Sequence, residues 1–153
     1  MHTLSQNRQH SSRTPVILSL FIMILALVAS IGGLIVDVAA TDQIRTITSL
    51  YGEEVSLYGR GLYANDSISC AVQARGQDMV TLFVGIPILA AGTLLKRSGS
   101  LRGKMLQSGA LGYMLYTYAS YSFLSMYNRF FLLYVALFGL SLFSFIISFK
   151  DFG

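Results

Sequence analysis

Apolar residues in this chain come in blocks of about 20, the length an α-helix needs to cross the hydrocarbon core of a bilayer. Inside lipid every backbone polar group must be satisfied within the segment, which leaves helices or closed barrels. Unbroken blocks of this length fit helices, since barrel strands alternate over about ten residues. Charged residues make up only 12% of the chain, against about 25% in soluble domains, so the blocks belong to an integral membrane protein. The sequence predicts an all-α membrane protein with four transmembrane helices in an antiparallel bundle, one folded extracytoplasmic loop, and both termini cytoplasmic.

Residues 1–14 carry Arg8 and Arg13 without an acidic residue and read as a disordered basic cytoplasmic tail. The transmembrane domain spans 15–149, with helices at about 15–38, 79–95, 105–126 and 129–149; residues 150–153 form the cytoplasmic C-terminus. Pro15 suits a first helical turn, where its missing N–H costs nothing, and the apolar block after it exceeds a signal-peptide core. Ala29 and Gly33 make a small-residue pair that lets another helix approach closely.

The connection 41–77 holds Asp42, Glu53, Glu54 and Asp66, and is expected outside. Its segment from Glu54 to Tyr63 alternates and then breaks at Gly59 and Gly61, as a short hairpin or flap would. Tyr51, Tyr58 and Tyr63 suit an interface, with Arg60 between the last two. Asp66 or Ser67 can cap a short helix ending at Arg75 and Gly76, and Asp78 is placed as the N-cap of the second spanning helix. Pro87 then removes a hydrogen bond and should kink that helix.

Lys96, Arg97, Arg102 and Lys104 form a basic hairpin, which by the positive-inside rule is cytoplasmic and can meet anionic lipid headgroups. Arg8, Arg13 and Lys150 fall on the same side, while Arg45, Arg60, Arg75 and Arg129 fall on the other. Tyr127 and Asn128 are expected to form a tight turn, with Asn128 left-handed.

The third helix is the least apolar. At about 100° per residue, Tyr113, Tyr116, Thr117, Ser120 and Tyr121 share one arc. That face should point inward, either as hydroxyl glue between helices or as the lining of an uncharged pocket opposite Pro87. No motif predicts catalysis: Cys70 is the sole cysteine and His2 and His10 lie in the tail, so no metal, cofactor or thiol pair is expected. The basic residues beside apolar blocks have a topological explanation, and no nucleic-acid partner is expected. The expected role is non-catalytic, in structure or assembly through helix–helix association, with the bilayer and either a second copy or another membrane protein as partner. The alternative is a small transporter with a hydroxyl-lined pocket between helices two and three.

LYGRGLY (57–63), GQDMVTL (76–82), RSGSLRG (97–103), LYTYASYSF (115–123) and YNRFFLLYVALFGLSLF (127–143) resemble a group of bacterial multi-pass membrane proteins. That resemblance implies a bacterial cytoplasmic membrane and brings no activity with it. Gly61, Leu62, Tyr63 and Cys70 are also similar to the Gly-Leu-Trp and cysteine signature of claudin-type four-helix proteins, although this chain has no tryptophan and a single cysteine.

Overall fold

The computed structural model describes the backbone of residues 2–38 and 45–150, and side chains within 14–36 and 45–150. The chain is mainly helical. Helix α1 is His2–Val38. A hairpin of β1 (Arg45–Thr48) and β2 (Glu54–Leu57) follows, and then a single 3₁₀ turn at Gly61–Tyr63. Helix α2 (Ile68–Val80) passes through a π-helical turn at Thr81–Gly85 into α3 (Ile86–Arg97). Helices α4 (Leu101–Leu124) and α5 (Phe131–Lys150) complete the described chain. Three stretches are long and apolar enough to cross a membrane: Thr14–Val36, Ile68–Arg97 and Phe131–Lys150.

Helix α1 begins well before Pro15, so residues 2–14 are helical in backbone where a disordered tail was expected. No glycine or second proline interrupts that segment. The hairpin also differs from expectation. Glu54–Leu57 pairs antiparallel with Arg45–Thr48, from Arg45 opposite Leu57 to Thr48 opposite Glu54, and Gly52 makes the turn at φ +82°. Gly59 and Gly61, also at positive φ, end β2 instead of turning the hairpin.

The largest correction concerns the second span. Ser67 caps α2 by accepting the Cys70 N–H at 3.3 Å, but the helix does not stop at Gly76. It runs to Arg97 over 30 residues, about 45 Å at 1.5 Å per residue. Asp78 is therefore not a cap but an interior helical residue. Gly76 costs a helix only about 1 kcal/mol relative to alanine, too little to break one held by its capped start and its packing.

Pro87 cannot donate to the carbonyl four residues back, and its ring crowds that carbonyl. The helix widens just ahead of it: the Ile86 N–H bonds the Thr81 carbonyl, five residues back. The expected kink is thus realised as a π turn, and Pro87 itself lies on the exposed side.

Helix α4 packs along both α3 and α5, while α1 packs on α5 and α3. A helix covered on two sides needs no continuous apolar surface, which is why α4 tolerates its hydroxyls. On the α3 side Gly92 faces the backbone of Gln107, and Gly103 faces the backbone of Leu95 and Lys96. A Cβ at either position would push the two helices apart. The turn between α4 and α5 is longer than two residues, and among the described residues none other than glycine has positive φ. Asn128 instead accepts the Phe130 N–H with its side-chain oxygen at 2.9 Å.

Candidate functional site: a carboxylate ringed by phenols

Four chain segments converge on Asp78, which is 2% exposed. Gly61–Tyr63 brings the Tyr63 hydroxyl to Asp78 Oδ2 at 2.6 Å. From α4, Tyr121 shares its single hydrogen between the Ala74 carbonyl at 2.7 Å and Asp78 Oδ1 at 3.1 Å. From α5, Tyr134 lies 3.4 Å from the Tyr63 oxygen; because the Tyr63 proton goes to Asp78, Tyr134 is the donor. From α1, Gly33 presents bare backbone to the carboxylate, and a Cβ there would overlap Asp78 Oδ2 and come within 3.1 Å of the Tyr63 oxygen.

The rings pack as closely as the hydroxyls bond. Tyr121 and Tyr134 meet edge to face at 4.9 Å, and Tyr118 stands 6.0 Å from Tyr121 and 6.3 Å from Tyr134. Each such pair adds about 1 kcal/mol beyond burial. Burial, and then the neighbouring Tyr121 phenol and Asp78 carboxyl, push the Tyr63 phenol far above its ordinary value, so it stays a donor.

The same connection is fastened a second time through Asp66. Its Oδ1 accepts the Met126 N–H at 2.8 Å, and its carbonyl accepts the Tyr58 N–H at 2.9 Å. Burial raises the Asp66 carboxyl above the usual range, with the Met126 bond opposing it. The Tyr58 hydroxyl accepts from Arg75 at 2.9 Å, and Arg60 sits half-buried just before the 3₁₀ turn. The interface role expected of Tyr63 is therefore replaced by full burial, while Tyr51 is 92% exposed at the hairpin tip.

A neighbouring network joins α2 to α4. Gln77 donates to Tyr113 and Thr117, each at 2.9 Å, and Thr81 and Tyr113 are also 2.9 Å apart. Beside it lies a cleft of about 150 Å³ between Gln73 and Gln77 on α2 and Tyr116, Thr117, Ser120 and Tyr121 on α4. The five hydroxyl residues expected on one inward face are thus divided. Thr117 and Tyr121 are buried and Tyr113 half-buried, but Tyr116 is 69% exposed, and Ser120 bonds back to the Tyr116 carbonyl at 2.9 Å.

The inward face of α4 is turned about 110° from the expected arc at 100° per residue. It is set by Gln107, Leu111, Met114, Tyr118 and Tyr121, because helices lie on two of its sides. Tyr118 and Tyr134 were not singled out by the sequence reading. The signal for Tyr134 was a lone polar residue in an apolar run. Gln107 was missed as well: it donates to Ser19 on α1 at 3.0 Å and to Thr93 on α3 at 3.3 Å. In the basic hairpin, Arg97 and Arg102 are exposed, Lys104 is half-exposed, and Lys96 is 8% exposed. Ala29 and Gly33 are buried within the chain, and at Gly33 the close approach is made by Asp78 and Tyr63.

Replacing Tyr116 with phenylalanine should leave thermal stability within about 0.5 kcal/mol of the parent, as for other surface changes. Tyr121→Phe should cost about 2 kcal/mol by removing the shared donor. Thermal unfolding of both variants in lipid nanodiscs measures the contrast. Comparison with protein-family models, with curated proteins and with solved structures finds no match.

Proposed function

We propose that this is a multi-pass protein of the cell membrane with a non-catalytic role in assembly, presenting its 45–67 connection as a fixed docking face to a membrane partner or a second copy. In this reading α4 is the fourth span, held in lipid by α3 and α5. Both termini and the basic hairpin are cytoplasmic, because Lys96, Arg97, Arg102 and Lys104 mark that side.

One observation carries the proposal. A buried carboxylate and three phenols are spent on fastening a connection to the helices, a costly arrangement for a segment that only links two spans. Beyond the clamp the hairpin tip stands free, with Leu50 fully exposed beside Tyr51, and exposed aromatic and aliphatic anchors on a rigid base suit a docking surface. Chemical crosslinking in native membranes, followed by purification in nanodiscs, should give a defined complex. A strictly monomeric chain with nothing crosslinked would contradict the proposal.

The cleft beside Gln77 favours a second reading, a carrier of a small neutral solute. Its volume is below the 300–1,000 Å³ usual for ligand pockets, which places this reading second. It requires ligand-dependent thermal stabilisation that Thr117→Val removes.

A further inference from the structure

Farther along the same flank of α4, toward the basic hairpin, an apolar groove of about 300 Å³ runs between the π turn and α3 on one side and α4 on the other. Val84, Ile88 and Leu106 form its walls, and Tyr113 closes the end nearer Asp78. Its middle is open because of one residue: a Cβ built on Gly109 would meet nothing within 4 Å. The groove has charge at one end only. Arg102, exposed, lies one turn before Leu106 on the same face of α4. Arg97 and Lys104 stand in the same hairpin, and no carboxylate occurs between Asp78 and Asp151.

We propose that this groove binds one anionic phospholipid, with an acyl chain along Leu106 and Gly109 and the headgroup phosphate on Arg102. An apolar slot with the exposed Arg102 guanidinium at its end matches an amphiphile with a negative head. A guanidinium also pairs with phosphate oxygens in bidentate fashion. The site does not depend on the docking role proposed above, because it lies on α3 and α4 and uses no residue of the 45–67 connection.

The test uses the full chain in nanodiscs of mixed phosphatidylcholine and phosphatidylglycerol, with native mass spectrometry of the lipid retained after mild detergent release. The parent should keep one phosphatidylglycerol per chain. Gly109→Leu fills open space and should lose the lipid while melting as the parent does. Arg102→Gln should keep a lipid but lower the preference for phosphatidylglycerol about fivefold. Equal retention of the two lipids by the parent, undiminished phosphatidylglycerol on Gly109→Leu, or a second chain in place of the lipid would each overturn the proposal.

Discussion

Replacing Gly33 with valine is expected to cost about 3 kcal/mol or more and to release the 45–67 connection, from overpacking at about 1–3 kcal/mol and a buried donor left without its acceptor at about 1–3 kcal/mol. The added Cβ falls on Asp78 Oδ2 and crowds the Tyr63 hydroxyl. Neither can retreat, because Tyr63 is wholly buried and Asp78 is 2% exposed. Thermal unfolding in nanodiscs should show the loss, and limited proteolysis should cut between residues 54 and 67. Gly76→Ala is the matched control. No neighbour lies within 4 Å of a Cβ there, so exchanging glycine for alanine inside this helix should be neutral or stabilise by up to about 1 kcal/mol.

Asp78→Leu should be the second large effect. It leaves the Tyr63 hydroxyl buried without its acceptor, at a cost of about 1–3 kcal/mol, while Tyr121 keeps the Ala74 carbonyl at 2.7 Å. Leucine must also fit against Gly33, on which the carboxylate now packs. Asp78→Asn retains one carbonyl oxygen for Tyr63 and turns an amide toward Tyr121, whose oxygen can accept. Its loss should be about half that of the leucine variant. Denaturant or thermal titration of the two side by side reads the difference, and equal losses would mean that Asp78 serves only to fill space.

The long helices were legible because their apolar blocks match bilayer thickness, and the break near Pro87 was legible because proline chemistry is local. Asp78 was misread for an equally physical reason. An acidic residue just before an apolar block has the pattern of a cap, and only the third dimension shows that the short helix capped by Ser67 continues through Gly76. The inward face of α4 was displaced because hydroxyls alone were used to find it. Gln107, Leu111, Met114 and Tyr118 vote with them once α3 and α5 lie on either side. Tyr63, Asp78, Tyr121 and Tyr134 come from four separate segments, and no spacing within any one of them brings the cluster together. The hairpin partner of Glu54–Leu57 was hidden similarly, since Arg45–Thr48 alternates too briefly to signal a strand.

The proposed docking role is tested most directly by a photo-crosslinking residue placed at Tyr51, in the parent and in a Tyr63→Phe chain, both embedded in native membranes. With the clamp intact, the hairpin tip should crosslink to one defined protein or to a second copy. Release of Tyr63 should weaken or scatter that product while the chain remains inserted. Crosslinks to lipid alone, or an identical protein product from both chains, would contradict the view that the buried phenols hold this connection in place for a partner.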